Sequence, residues 1–166
     1  MVKKFIYLWW IATLLSGCAY SVYSNAYPHL KKVRVEAFEN QSSDFEIAST
    51  LLNQLSLEFR NDGRLKLVTQ NPDCALEGNI LSYTEDIYSY DAANQVQDYQ
   101  LRLLVSVTFT DLINNSVLYE NRNLQVSEIY KVSDESSARW NTKAEAEEEL
   151  IKALFRIIVQ NSLEAW

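Results

Sequence analysis

Few side chains in this sequence could take part in catalysis or bind a metal. The chain has two cysteines, Cys18 and Cys74, and one histidine, His29. A Ser–His–Asp or Cys–His site would have to use His29, which follows Pro28 and precedes the first predicted strand. One histidine and one free thiol cannot build the usual zinc site, and no glycine-rich phosphate-binding motif occurs. The sequence therefore argues against an enzyme and predicts no metal and no bound cofactor.

Three consecutive glutamates, Glu147 to Glu149, form a carboxylate cluster that could suggest acid–base or cation chemistry. They follow Thr142 and Glu145, whose T-x-x-E spacing is that of a capping box at a helix start. Negative charge suits the first turns of a helix because it complements the helix dipole. We interpret the cluster as the solvated start of a helix.

The reactive group that the sequence does single out is the thiol of Cys18. Two lysines precede an eleven-residue, mostly apolar run, 5–15, which is shorter than the about 20 residues that span a bilayer. Leu15-Ser16-Gly17-Cys18 resembles the bacterial lipobox, whose cysteine takes a diacylglycerol and becomes the first residue. The pattern predicts a signal peptide over 1–17 and a covalent lipid on Cys18; the alternatives are an ordinary secretory signal with a chance cysteine and a short membrane anchor. Ala19 resembles the outer-membrane case, because aspartate there favours inner-membrane retention.

The charge of the chain limits its partners. The precursor carries a net charge of −7, and loss of Lys3 and Lys4 with the signal peptide leaves −9. Such an acidic protein repels polyanions, so the sequence predicts no nucleic-acid partner. With Cys18 lipidated, Cys74 has no disulfide partner within the chain, and we interpret it as a small buried residue.

The hydrophobic patterning predicts five strands and two helices. Apolar and polar residues alternate, as in half-buried strands, at 32–38, 64–68, 74–83, 99–109 and 117–130. Apolar residues at helical spacing predict a helix over 44–60, with a capping box from Ser43 to Glu46 and a stop at Gly63. A second helix follows the capping box at Thr142. Residues 86–98 are interpreted as a loop.

The order of these elements predicts an α+β fold. Two helices packed on one face of a largely antiparallel four- to five-stranded sheet, in the order β-α-β-β-β-β-α, bury the apolar sides of both layers. Asn114 and Asn115 suit the turn between the last two strands because asparagine tolerates positive φ. Gly78 indicates a bulge or a close approach. We divide the chain into a signal peptide (1–17), a lipidated tether (18–30) and a single domain (31–166).

Several segments, in their order and spacing, resemble one family. They are Val33–Asn40, Phe59–Val68, Pro72–Ile80 (similar to the form A-D-x-x-L-x-G-x-I), Tyr99–Asp111 and Leu118–Glu120. Together with the lipobox they resemble the LPS-assembly lipoprotein family LptE, in a divergent branch. The resemblance covers most of the mature chain. It implies a periplasm-facing outer-membrane lipoprotein that plugs an LptD-like outer-membrane β-barrel and assists delivery of lipopolysaccharide to the outer leaflet, without covalent chemistry.

Contact with lipopolysaccharide would need cations for the lipid A phosphates. The candidate residues are Arg102, Arg122, Lys131 and Arg139. Ordinary surface charge on an acidic protein is the alternative interpretation. The stretch 86–98 is acidic and contains no arginine or lysine, so it is poorly equipped to hold a phosphate.

Two other classes of outer-membrane lipoprotein fit a small sheet-and-helix domain. Activators of peptidoglycan synthases also show a strand that ends in phenylalanine, a nearby asparagine and a helix, but they often reach the cell wall through a long linker. The short tether 18–30 favours a function close to the membrane. A subunit of a lipoprotein secretion pore would need membrane-inserting hairpins, for which 99–130 is the candidate region.

Overall fold

The computed structural model describes residues 27–133 and 136–164. The predicted signal peptide, Cys18 and the tether up to residue 26 lie outside the described residues. The strands are β1 (Lys32–Val35), β2 (Glu39–Asn40), β3 (Lys66–Leu67), β4 (Cys74–Tyr90), β5 (Val96–Asp111) and β6 (Ser116–Lys131), and the helices are α1 (Ile47–Asp62) and α2 (Lys143–Ser162).

These strands form one mixed sheet in the order β3-β1-β4-β5-β6, and β2 pairs with β4. β4, β5 and β6 are an antiparallel meander. β1 runs parallel to both β3 and β4, because a chain that returns through a helix brings the next strand back in the same direction. The predicted α+β class and the order β-α-β-β-β-β-α are confirmed. The structure adds the two-residue β2 and shows that the β1 side of the sheet is parallel.

The central strand β5 sets the hydrophobic core. Its residues Leu101, Leu103, Val105, Val107 and Phe109 are completely buried. They share the core with the helices, whereas the residues between them face the opposite side of the sheet. Because full burial of one such side chain contributes about 1.5–3 kcal/mol, this strand carries a large part of the core.

Both helices lie on the face of the sheet to which these β5 side chains point. α1 buries Ile47, Leu51, Leu55 and Phe59 at a spacing of four residues. α2 buries a longer stripe, Ala146, Leu150, Ile151, Leu154, Phe155, Ile158, Val159 and Ser162. The ring of Phe59 meets that of Phe155 edge to face, with 4.9 Å between centroids. Aromatic packing therefore joins the two helices to each other over the sheet.

The starts of the two helices differ in how their free N–H groups are satisfied. Thr142 accepts a hydrogen bond from the backbone N–H of Glu145 at 3.2 Å, as the capping box predicts. The predicted box at Ser43 is wrong: the carboxylate of Asp44 accepts the N–H groups of Glu46 and Ile47 instead. A charged acceptor makes the stronger bond, and α1 consequently begins at Ile47 rather than at residue 44.

The interpretation of 86–98 as a loop is also wrong. β4 continues to Tyr90 and pairs with the start of β5, with register shifts around Ser89. Ile87, Tyr88 and Tyr90 are exposed, because this part of the hairpin extends past the helices and has solvent on both faces. A strand with solvent on both faces does not need apolar and polar residues to alternate. This explains why the alternation is lost in the sequence of residues 86–98.

The two ends of the long strands have different surroundings. At one end, which we name the entry end, the residues before β1 meet the start of β4 and the β5–β6 turn (112–115). At the other, the far end, β4 and β5 meet in the turn 91–95. α2 begins beside Glu85 of β4 and ends near Arg64, just before β3. The helices thus run toward the entry end and leave the far end uncovered.

The β5–β6 turn is held by the buried carboxylate of Asp111, which is 1% exposed. One oxygen accepts the N–H groups of Ile113 and Asn114 at 2.8 and 3.0 Å. The other lies 2.6 Å from His29 Nε2 and 2.9 Å from Asn114 Nδ2. Burial raises the pKa of Asp111, but the hydrogen bonds from His29, Asn114 and Ile113 outweigh it and bring the pKa down to about 2.

Gly78 of β4 is a point of close approach, as predicted from the sequence. A Cβ atom at this position would lie 2.7 Å from the ring of Phe38 and closer still to the carbonyl oxygen of Ser106. By contrast, Gly63 has φ of +72° and open space around it, because it ends α1 in the left-handed conformation.

We expect Gly78→Ala to lower the free energy of unfolding by about 1–3 kcal/mol, because the added methyl group overpacks the contact between β4, β5 and Phe38. Gly63→Ala is the matched control: it meets no atom, and its left-handed φ costs about 1 kcal/mol. Urea denaturation of both variants measures the difference. A smaller loss for Gly78→Ala than for Gly63→Ala would contradict the close approach.

Asp111→Asn is expected to lower the free energy of unfolding by about 1–3 kcal/mol at pH 7, since buried donors lose a charged acceptor. The pKa of this carboxyl is lower in the folded chain, about 2, than its ordinary 3.8. The ionised group therefore stabilises the fold above pH 4, and this contribution is lost as pH falls from about 4 to about 2. Urea melts at several pH values should show the variant and the wild type converging over that window. Asp91→Asn, which removes a similar side-chain acceptor from the far-end turn, should cost less, and an equal cost would contradict the role of burial.

Candidate functional site

The face of the sheet opposite the helices, which we name the open face, is mostly polar. Its residues alternate with the buried core residues along β4, β5 and β6. Serine, threonine, asparagine and glutamine form the largest group on it: Asn79, Ser82, Thr84, Gln100, Ser106, Thr108, Thr110, Gln125 and Ser127. Such a surface can hydrogen-bond a polar partner.

A cavity of about 390 Å³ opens toward the far end of this face. That volume falls within the range of small-molecule sites. The meander and the segment after β6 line the cavity together, with Tyr88, Asp98, Gln100, Ser127, Glu128, Ile129 and residues 137–140. The lining combines aromatic rings, amide and hydroxyl groups, two carboxylates and one guanidinium group.

One wall of the cavity is the segment 136–140, which is fixed to the edge of β6. The backbone N–H of Lys131 donates to the carbonyl oxygen of Trp140 at 2.9 Å. The indole N–H of Trp140 donates to Glu128 at 3.0 Å, and the guanidinium group of Arg139 lies 4.6 Å above the indole ring. These contacts hold an aromatic plane and a positive charge side by side.

Asp98 holds the same wall from inside. Its side chain is 8% exposed. One carboxylate oxygen accepts a hydrogen bond from Ser89 at 2.5 Å, and the other accepts one from Ser136. Ser136 in turn accepts the N–H of Ala138 at 2.9 Å. The carboxylate of Asp98 therefore has a structural role, because it holds the start of the segment 136–140 in place.

The structure brings three of the four predicted basic residues to this region. Arg139 lines the cavity, Lys131 pairs with Asp98 in the β5–β6 register, and Arg102 is two residues along β5 from the lining residue Gln100. Arg102 also lies 3.6 Å from Asp86 and donates to Gln100. Arg139 therefore lines the cavity, while Lys131 and Arg102 lie on the strands next to it.

Arg122 lies apart from the other three. It lies within the register shift of β6 opposite Ser106, and its side chain is 82% exposed. Its guanidinium group pairs with Glu120 at 2.8 Å. Among the described residues, Arg122 therefore contributes nothing to the cavity.

A second polar cluster joins the start of α2 to the sheet. Tyr83 donates to Glu147 at 2.5 Å, Tyr130 donates to Glu85, and Lys143 pairs with Glu85 at 2.8 Å. Burial, and then the bond to Glu147, raise the pKa of Tyr83. Glu147, interpreted from the sequence as part of a solvated helix start, instead fixes α2 over the meander.

The chemistry of the cavity is that of binding. Its one largely buried carboxylate is occupied by serine hydroxyls, and the guanidinium group of Arg139 lies over the ring of Trp140. Within residues 27–133 and 136–164, no group of three or more His, Cys, Asp or Glu side chains could hold a metal. Over the same ranges, no helix combines the length and the apolar character needed to cross a membrane.

Sequence reasoning missed most of the cavity lining. Trp140 is the residue with a usable signal, because a tryptophan beside an arginine in a polar stretch often marks a binding surface. Asp98, Gln100 and Ser127 carry no such signal, since they become neighbours only through the strand register. Tyr88 was assigned to a loop that is in fact part of β4.

Comparison with solved structures shows what this fold resembles. The protein CT253 of Chlamydia trachomatis matches with a TM-score of 0.53 and 15% identity, over 78% of this chain and 94% of that one. Lipoprotein B of Nitrosomonas europaea matches with a TM-score of 0.51 and 16% identity, over 80% and 83%. The protein XCC0632 of Xanthomonas campestris matches with a TM-score of 0.51 and 13% identity, over 83% and 89%. At these identities the similarity is one of fold.

Comparison by sequence gives the family. No curated protein matches this chain. The model of the family LptE, described as "Lipopolysaccharide-assembly", matches residues 30–163, which includes every strand and both helices of the structure. The resemblance seen in the separate segments therefore extends over the whole folded domain, and the chain belongs to the LptE family.

Proposed function

We propose that this chain is an outer-membrane lipoprotein, lipidated at Cys18, that plugs an LptD-like β-barrel and assists placement of lipopolysaccharide in the outer leaflet. The match of the LptE family model to residues 30–163 carries the proposal. The N-terminal sequence supports the anchor, because its basic start, apolar run and Leu15-Ser16-Gly17-Cys18 motif are those of a lipoprotein signal peptide.

The open face supports a role inside a barrel. The lumens of large outer-membrane barrels are polar, and the open face offers hydroxyl and amide groups from three adjacent strands. β4, β5 and β6 have 17, 16 and 16 residues, and a 16-residue strand extends roughly 50 Å. That length is comparable to the about 40–45 Å of a whole bilayer, so the meander can contact a barrel wall over most of its height.

The cavity at the far end supports contact with lipopolysaccharide itself. Arg139 lines it, Lys131 and Arg102 lie on the strands next to it, and cations of this kind pair with phosphate oxygens. Trp140 presents an indole ring next to Arg139, and an aromatic plane of this kind can stack against the apolar side of a sugar ring. We therefore assign the phosphorylated disaccharide of lipopolysaccharide to this cavity; the proposal assigns no catalytic residue.

The plug role is tested by affinity purification of the full-length lipoprotein from detergent-solubilised outer membranes, with mass spectrometry of the recovered proteins. We expect recovery of an LptD-like barrel in stoichiometric amount. The double variant Ser106→Lys with Gln125→Lys puts two charges on the open face at positions opposite Asn79 and Leu104, and it should reduce barrel recovery at least about tenfold, since buried unpaired charge is costly. Asn53→Lys, on the exposed side of α1, is the matched control and should not change recovery.

Two outcomes would contradict the plug role. Recovery of a peptidoglycan synthase without a barrel would favour the alternative class of lipoprotein. Equal barrel recovery for the open-face variant and the Asn53→Lys control would show that the open face does not contact the barrel wall.

Lipopolysaccharide contact is tested by binding of purified protein to immobilised lipopolysaccharide. Replacement of both Arg139 and Lys131 by glutamine should weaken binding by about thirtyfold or more, because each charge-assisted bond to phosphate contributes about 1 kcal/mol or more. Arg156→Gln, at an exposed arginine of α2 that pairs with Glu149, is the control for loss of charge alone. If both variants weaken binding equally, the cavity is not the site.

A further inference from the structure

The β5–β6 turn at the entry end exposes three apolar side chains together. Leu112, Ile113 and Val117 are 43%, 55% and 57% exposed. No charged residue occurs from 112 to 119. Single exposed apolar residues are common on soluble proteins, whereas a cluster marks a contact surface.

This turn is rigid, which lowers the cost of using it for contact. Asp111 accepts the N–H groups of Ile113 and Asn114, and Asn114 Nδ2 lies 2.9 Å from both Asp111 and His29. The side chains of Leu112 and Ile113 are thus presented on a fixed backbone, and little conformational freedom remains to be lost on binding.

The same contacts place the turn next to the segment that leads to Cys18. His29 Nε2 lies 2.6 Å from Asp111, and the ring of Tyr27 packs edge to face against His29 at 6.1 Å. Tyr27 follows Cys18 by nine positions, and nine residues reach at most about 30 Å. A lipid on Cys18 therefore keeps Tyr27 within that distance of a bilayer surface, and the turn lies next to Tyr27 through His29.

Exposed lysines lie at the same end of the sheet. Lys31 and Lys66 are exposed, are adjacent through the bond from Lys66 N–H to the Lys31 carbonyl oxygen, and form no ion pair with any described residue. Asp73 connects this corner to the turn: its carboxylate accepts the N–H of Lys31, and its carbonyl oxygen accepts the N–H of Leu112.

The carboxylates of the entry end are occupied. Asp73 and Asp111 accept the backbone bonds described above, and Arg64 pairs with Asp62 and Glu164. The acidic residues of the far-end hairpin, Glu85, Asp86, Asp91 and Asp98, are occupied as well. The entry end differs in that two exposed lysines, Lys31 and Lys66, lie beside an apolar turn, a combination that suits a surface of lipid phosphates.

We propose that the entry end docks on the phospholipid leaflet that holds the lipid of Cys18, with Leu112, Ile113 and Val117 among the headgroups and Lys31 and Lys66 on lipid phosphates. An apolar tip flanked by lysines is the composition that binds membrane interfaces. The inference rests on the lipid anchor of the proposed function and describes the anchored chain before it joins the barrel, because the barrel wall separates a domain in the lumen from the leaflet. Docking fixes the orientation of the domain, so that the far end with its cavity points away from that leaflet.

The test uses the full-length lipidated chain reconstituted into vesicles of phosphatidylethanolamine and phosphatidylglycerol, without any barrel. Ile113→Cys carries an environment-sensitive fluorophore, and Ala93→Cys in the far-end turn is the matched control. Cys74 does not react, because it is completely buried and burial raises the pKa of its thiol to about 12. We expect the probe at 113 to rise in intensity at least about twofold and to be quenched by nitroxide-labelled lipid, while the probe at 93 is unchanged.

Further variants separate the parts of the inference. In the labelled chain, Leu112→Ser with Val117→Ser should abolish the intensity rise, and Lys31→Gln with Lys66→Gln should reduce it in vesicles that contain phosphatidylglycerol. Equal emission from probes at 113 and 93, in chains with unchanged thermal unfolding, would overturn the docking. If mass spectrometry of the purified chain shows no diacylglycerol, both the lipid anchor and this inference are overturned. Barrel recovery is measured separately, so failure of docking and failure of the plug role are distinguishable.

Discussion

The architecture depends on a mismatch of length between its two layers. α2 has 20 residues and rises about 30 Å, whereas the strands of the meander extend roughly 50 Å. Two helices can therefore seal only part of one face of the sheet. The sealed part contains the core around β5, and the remainder, together with the whole open face, stays available to partners. The exposed aromatic residues Tyr88 and Tyr90 follow directly from this mismatch.

The same constraint explains what could be predicted from the sequence. β5 could be predicted because Leu101 to Phe109 lie where the helices pack on one face of the sheet. A strand with one buried and one exposed face must alternate apolar and polar residues. The second half of β4 was missed because no layer covers Ile87 or Tyr88, so nothing requires their pattern. The parallel pairing of β1 could have been inferred from the helix that follows it, but hydrophobic periodicity does not record strand direction.

Of the residues at the cavity, only the basic ones could be predicted from the sequence. Arg139, Lys131 and Arg102 could be identified as cations, but their position in or next to one cavity depends on strand register and on the way the segment 136–140 folds back onto β6. Arg122 looks the same in the sequence, and the register shift in β6 places it elsewhere. The start of α1 was difficult to predict for a similar reason. Ser43 and Asp44 are both good N-cap residues, and the charged carboxylate of Asp44 is the stronger hydrogen-bond acceptor.

The parallel strand β1 has a consequence for the order in which the chain folds. β4, β5 and β6 pair through local hairpins, whereas Val33 must find Cys74, and contacts so distant in sequence form slowly because a long loop has to close first. We expect the meander to acquire amide protection before β1 does, which pulse-labelled hydrogen exchange can resolve. The segment nearest to Cys18 would then be the last to join the domain, so an anchored chain could already be attached to its membrane while its sheet is still being completed.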